Sequence, residues 1–513
     1  MMRDYYLALS HGGNRQEPPS IRWNTVANYS GTACQAILGF LFVPLYIRYL
    51  GIESYGLVGF SVSLYAVLRL TDLGLSSTLS REFARYSILP ESAAQMRDLL
   101  KTAQTVYWGI SLLVGCLVVI VAPLIAKHWL NTGSLGVATV QKAVMLMGLT
   151  TALQGPTSLY IGGIFGLQRH VLGNGINVML AVLRSGGVVL ALALLSPTII
   201  TFFACQLFFA VIGALGTGMV LWNILPNRDT PSRFQILLLR SVWRFAAGMS
   251  ITSILWLLLS QLDKVILSKM LPLQMFGYYM VAVTAAAATS YLSAPLYISF
   301  LPRYTQLLAA GDEDGLRATY RISCRLNALA IIPTVTLLAL FSRQALLVWT
   351  HNPAVAEQAH LLLSLLVIGY GLNQLAYLPY GLQVASGWVK LGVYTNTGAV
   401  FFIVPALVVA ARFYGGIGAA AVWIALNCIY VFIYVNVLHG RVLQGEARHW
   451  YAGVLLPLFL AVGIGFLGRM LLLDVSGIWL VFYVGLLWML VVGVVSLTTP
   501  SIRKMIMPML SRH

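Results

Sequence analysis

The sequence predicts an all-α, polytopic membrane protein with about fourteen transmembrane helices. Three observations lead there. Only 9% of the 513 residues are charged and 59% are hydrophobic, with a mean hydropathy of +0.83, whereas a soluble chain carries about 25% charged residues. Apolar runs of about 20 residues, enough to cross the hydrocarbon as a helix, recur along the chain. The alternation over about ten residues that marks barrel strands is missing, and a bilayer core admits only internally hydrogen-bonded helices or closed barrels.

Spans are expected at 24–47, 55–80, 100–126, 137–165, 171–195, 199–224, 245–268, 276–300, 326–349, 357–384, 391–411, 415–438, 450–472 and 475–497. Residues 1–23 are polar and lack the apolar core of a signal peptide, so the first span is expected to direct insertion. Loop charge sets the orientation. With the N-terminus cytoplasmic, 22 of the 32 Lys and Arg residues fall on the inner side and six on the outer. Positive-inside insertion requires this asymmetry, and it places both termini in the cytoplasm. The net charge of +17 is thereby explained by topology, with no nucleic-acid partner. Inner segments near 81–99, 225–244 and 303–325 are expected as amphipathic loops, and "RFQILLLRSVWRF" (233–245) has the pattern of an interfacial helix.

A repeat is visible within the chain. "LGIESYGL" (50–57) aligns with "LPLQMFGY" (271–278) at a shift of 221, and "LGNGIN" (172–177) with "LGVYTN" (391–396) at a shift of 219. The shared shift points to duplication of a six-span unit, with a substrate site expected between the halves. The expected organisation is an N-terminal segment (1–23), an N-lobe (24–224), an amphipathic connector (225–244), a C-lobe (245–440), and two further helices with a cytoplasmic tail (441–513).

The sequence also excludes chemistry. It has no phosphate-binding G-x-x-x-x-G-K-[ST] loop and no H-E-x-x-H. The five cysteines form no CxxC pair and fall in or beside apolar runs, so neither a disulfide framework nor a metal site is expected. The histidines near span ends, among them His128, His170, His351 and His439, read as interfacial. No cofactor is expected. A membrane-embedded glycosyl polymerase would need a sizeable outer loop for its catalytic groups, and no outer loop reaches twenty residues.

Six charged residues stand inside apolar runs: Arg69, Asp72, Lys142, Arg184, Asp263 and Lys264. Each costs about 2.5–3.5 kcal/mol at a helix centre and therefore faces a partner or a polar cavity. Arg69, Arg184 and Lys264 are candidates for a cationic substrate site, since a guanidinium matches phosphate oxygens. Structural pairing, such as Arg184 with Asp72 or Asp263, is the competing reading. Asp72 and Asp263 are the candidates for ion coupling. Arg69 and Asp72 are three apart and can pair on one face. Asp263 and Lys264 are adjacent, about 100° apart, and are not expected to share one partner. Lys142 lies near a span edge, where it can snorkel. On the first span Asn28, Thr32 and Gln35 form a polar stripe that suits either a hydrophilic path or bonding to neighbouring helices.

The elements "YLGIESYG", "DLGLSS" and "REFAR" within 43–86, and "LDKVILSKMLPLQMFGYYMVA" (262–282), resemble bacterial polysaccharide transporters of the Wzx O-antigen flippase type. The resemblance implies a MATE-like fold of two six-helix lobes with two extra C-terminal helices. It also implies flipping of an undecaprenyl-diphosphate-linked oligosaccharide across the bacterial inner membrane, by alternating access driven by an ion gradient. The product would be O-antigen, capsule or exopolysaccharide. The implied partners are the lipid-linked oligosaccharide, membrane lipids, and polysaccharide polymerase and chain-length machinery. A MATE-like small-molecule antiporter is the alternative. Drug exporters of this superfamily often carry an acid in the first span, and this sequence has none between Asn24 and Ile47.

Overall fold

A computed structural model describes residues 21–68, 75–87, 93–226, 232–235, 255, 257–471 and 477–498. The described residues are helical throughout, and their sole β-bridge joins Asn131 to Pro272. The helices are α1 (Ile21–Leu41), α2 (Val43–Leu68), α3 (Leu75–Tyr86), α4 (Ala93–Leu124), α5 (Val137–Gly166), α6 (His170–Leu194), α7 (Ile199–Ile224) and α8 (257–270). They continue as α9 (Leu273–Ala287), α10 (Ser290–Ala310), α11 (Glu313–Leu340), α12 (Ser342–Thr350), α13 (Pro353–Leu375) and α14 (Tyr377–Ala385). The last are α15 (Val389–Ile429), α16 (Val435–Arg441), α17 (Glu446–Met470) and α18 (Ile478–Thr498). Among the described residues, ten helical stretches are long and apolar enough to cross a membrane. The fold is an all-α, multi-pass membrane bundle.

Two glycines reverse the chain inside continuous helical runs. Gly51 breaks α2 with φ 76° and Gly415 breaks α15 with φ 57°. Both lie in the left-handed region that costs a Cβ-bearing residue strain. The break at Gly415 divides an apolar stretch of 52 residues, which at about 1.5 Å per residue is more than twice the hydrocarbon thickness.

Helices α3 to α7 pack among themselves, with α1 seated on α6. Helices α9 to α16 form a second group around α13. The groups meet where α2 crosses α9. The largest apolar core is continuous through that crossing, from Leu57 and Phe60 to Phe276, Tyr279 and Leu363. Hydrogen bonds also tie distant helices together. Trp129 Nε1 donates to Ser268 Oγ (3.1 Å), and Trp349 Nε1 donates to the Phe40 carbonyl (3.2 Å) while stacking on the Phe40 ring.

The expected loop at 303–325 is not a loop. Helix α10 runs to Ala310 and α11 starts at Glu313. Gly311 turns left-handed, and the Asp312 side chain accepts from Gly315 N at 2.8 Å to cap α11. Two residues suffice because a C′ glycine and an N-cap aspartate satisfy the orphan backbone groups on both sides. Segment 81–99 is likewise mostly helix, with α3 reaching Tyr86 and α4 starting at Ala93. Of the connector, residues 232–235 are described: Arg233 N and Gln235 Nε2 donate to Asp98 on α4 (both 2.6 Å).

Candidate substrate site

Helix α6 carries Arg184. Its position is fixed by packing on α1, where Asn174 Nδ2 donates to Asn28 Oδ1 (2.5 Å) and Gly31 makes room for the Asn174 side chain. About 15 Å further along α6, Arg184 is half-buried, and its Nε is sealed from solvent with no hydrogen-bond partner among the described residues. Its electrostatic neighbours are two tyrosines of α2, Tyr65 and Tyr46. Tyr46 also meets Ser185, and Tyr65 meets Ser61 and Thr150. The surroundings of Arg184 are thus hydroxyls on α2, α5 and α6. Asp263 is not its partner, and Asp72 and Arg69 lie outside the described residues.

Asp263 and Lys264 are both buried, and they pair with each other. Lys264 Nζ stands 3.0 Å from Asp263 Oδ1 and also donates to the Ser260 carbonyl at 2.7 Å. Tyr279 Oη donates to Asp263 Oδ2 at 2.6 Å. The two residues share no third partner but bond each other, a pairing the sequence reading did not include: the Cα–Cβ vectors diverge, and the flexible four-carbon stem of lysine curls the ammonium back over the preceding turn. The Lys264 charge is therefore neutralised locally, whereas Arg184 meets no carboxylate among the described residues.

The stripe on α1 divides. Asn28 bonds Asn174 as above, Thr32 Oγ1 donates to the Asn28 carbonyl (2.9 Å), and Gln35 is exposed. All three residues keep exposed surface. Asn28 thus bonds a neighbouring helix while keeping exposed surface.

Two polar assemblies escaped the sequence reading. The first links α10, α11, α13 and α15. Gln374 Nε2 donates to Ser290 Oγ (3.3 Å), Asn327 Nδ2 to the Gln374 carbonyl (2.8 Å), Ser293 Oγ to Asn327 Oδ1 (2.7 Å) and Asn373 Nδ2 to Asn427 Oδ1 (2.8 Å). The second fixes α17 to α11. Glu446, whose side chain is 1% exposed, accepts from Arg321 Nε (2.8 Å) and Nη2 (2.5 Å) and from Arg317 Nη1 (3.2 Å). Beside it, His439 is buried and pairs through Nε2 with Tyr320 Oη (2.8 Å), which corrects its expected interfacial placement. Its partner is 119 residues away, so no local pattern signals the pairing.

Two helix groups joined at one crossing, with a guanidinium between helices whose Nε has no hydrogen-bond partner among the described residues, make up an all-α multi-pass membrane bundle. The chain belongs to the polysaccharide biosynthesis protein family, which it matches over residues 21–308. A second family, MatE, matches residues 249–409. Among solved structures, "Lipid II flippase MurJ, inward closed conformation" superposes with a TM-score of 0.66 at 13% identity, covering 92% of this chain and 98% of that one. An inward-facing multidrug resistance MATE family transporter of the MOP superfamily gives 0.58 at 14% identity, covering 79% and 96%. Protein DETOXIFICATION 15 of Arabidopsis thaliana is 20% identical over 129 residues, 25% of this chain and 27% of that one. The chain thus matches about a quarter of that relative's length.

Proposed function

We propose that this protein flips a diphosphate-linked, lipid-anchored oligosaccharide across a bacterial inner membrane, for O-antigen, capsule or exopolysaccharide assembly. The carrying observation is Arg184, whose buried Nε has no partner among the described residues. Such a guanidinium is costly unless an anion completes it, and a diphosphate is an anion of the right geometry. The family match supports the glycan, and the fold shared with a lipid II flippase supports a lipid-anchored cargo. The two helix groups act as N- and C-lobes, and fourteen crossings place both termini in the cytoplasm. The Gly51 end is then periplasmic. Alternating access would open it, with Asp263 or Asp72 coupling an ion gradient, and with no enzymatic step.

A MATE-like small-molecule antiporter is the second reading, favoured by the MatE match over 249–409. The test is complementation. In a strain lacking this gene, the wild-type chain restores surface polysaccharide. Arg184→Ala inserts normally but restores little. Full restoration at native expression would remove Arg184 from the site. No restoration by the wild type would favour the antiporter, to be checked by efflux of cationic dyes.

A further inference from the structure

We propose that Tyr297, Tyr377 and Tyr380 form a platform on which a sugar ring of the cargo stacks. The inference rests on the glycan-flippase reading above and deepens it by naming a subsite for the sugar half of the substrate.

The three rings come from two helices broken at matching places. Helix α9 gives way to α10 at Ala288–Thr289, and α13 gives way to α14 at Ala376. Breaks inside a bundle are tolerated where polar groups re-satisfy the freed backbone, and transporters place their sites beside them. Here Asn327 Nδ2 donates to the Gln374 carbonyl, and the side chains of Gln374, Ser290, Ser293 and Asn327 bond one another beside the two breaks. Tyr377 opens α14 directly after its break, Tyr380 follows one turn later, and Tyr297 lies two turns beyond the break before α10.

The rings are nearly parallel. Tyr297 stands 4.5 Å from Tyr377 at 22° and 6.2 Å from Tyr380 at 13°, and Tyr377 stands 6.5 Å from Tyr380 at 11°. Gly381 permits this, since a Cβ there would sit 3.3 Å from the Tyr297 ring. Tyr297 and Tyr377 are half-buried, and Tyr380 is 42% exposed.

The hydroxyls decide what the platform faces. None of the three hydroxyls has a hydrogen-bond partner among the described residues; those of Tyr297 and Tyr377 keep accessible surface, and Tyr380 is an exposed residue. Three unbonded hydroxyls turned to hydrocarbon would each carry a desolvation cost. A polar space avoids it. Flat, electron-rich faces beside unused hydroxyls match a pyranose, whose C–H face is apolar and whose rim carries hydroxyl groups. An aromatic belt at the membrane interface is the competing explanation.

The test measures binding to the purified full-length chain in detergent. The first probe is the glycan-bearing polyprenyl diphosphate extracted from a strain lacking this gene. The second is farnesyl diphosphate, which has no sugar. Tyr297→Leu and Tyr380→Leu are expected to weaken the glycan lipid about fivefold, the worth of one such contact, and to leave farnesyl diphosphate unchanged. Tyr380→Phe, which keeps the ring, loses less than Tyr380→Leu. Unchanged farnesyl diphosphate binding certifies the fold of each variant. Equal weakening of both probes, or of neither, overturns the platform while leaving the flippase reading intact. If the wild-type chain fails to bind the glycan lipid at all, the flippase reading falls and the platform with it.

Discussion

Gly56 and Gly277 pack reciprocally. A Cβ on Gly56 would run into the Leu273 carbonyl oxygen, and a Cβ on Gly277 would run into the Ile52 carbonyl oxygen. Each glycine thus meets the carbonyl four residues before the other. Both pairs, 52 with 273 and 56 with 277, obey the shift of 221 read from "LGIESYGL" and "LPLQMFGY". The repeated motif therefore marks a pseudo-symmetric crossing of α2 over α9, the junction between the helix groups.

Enlarging either glycine forces the crossing apart. Gly56→Val and Gly277→Val are each expected to destabilise by about 1–3 kcal/mol, the usual cost of overpacking a tight contact. Because they act on one contact, the double variant is expected to lose less than the sum. Thermal unfolding of the purified chain reads both effects. Additive losses would show that the two sites are independent.

The two tryptophan bonds make a conformational prediction. Trp129→Phe and Trp349→Phe each remove one hydrogen bond between the groups, worth about 1 kcal/mol. On the alternating-access proposal, each should shift the population about fivefold away from the present conformation. Distances between spin labels flanking Gly51 and Leu271 read that shift, which should be larger in the double variant.

Asp263 and Lys264 are a coupled pair, so their variants should not add. Asp263→Asn leaves a buried ammonium without its counter-charge and is expected to lower stability by about 3 kcal/mol. Combining it with Lys264→Met should recover much of that loss. Full transport activity in this double variant would exclude Asp263 from ion coupling. Transport lost while stability is recovered would support it.

Glu446 holds α17 to α11. Glu446→Gln is expected to cost about 2–3 kcal/mol, below the full penalty for a broken buried pair because Arg321 is partly open to water. Limited proteolysis should then release residues beyond Gln444 sooner. Unchanged protection would show that apolar packing alone fixes α17.

The sequence made visible what is local. The bundle follows from apolar runs, and Arg184 is one of four cations inside them; the two short aligned motifs were legible as a repeat, though not as the α2–α9 crossing they form. Gly311–Asp312 carried a legible C-cap and N-cap, yet the surrounding basic residues read as a loop, since amphipathic helix ends and surface loops share a composition. The tyrosine platform and the Asn327–Gln374 network join residues far apart in the chain. No periodicity within one helix encodes such meetings. Asp263 and Lys264 were legible as charges but their mutual bond was not, because helix geometry fixes where a lysine leaves the backbone and not where its ammonium ends.

The most direct measurement is translocation in proteoliposomes holding the purified chain and the glycan-bearing polyprenyl diphosphate, read as accessibility of the glycan on the far side. The proposal requires that the wild-type chain moves the lipid and that Arg184→Gln slows it at least about tenfold, the loss of one charge-assisted contact to the diphosphate. Wild-type rates in Arg184→Gln would contradict it.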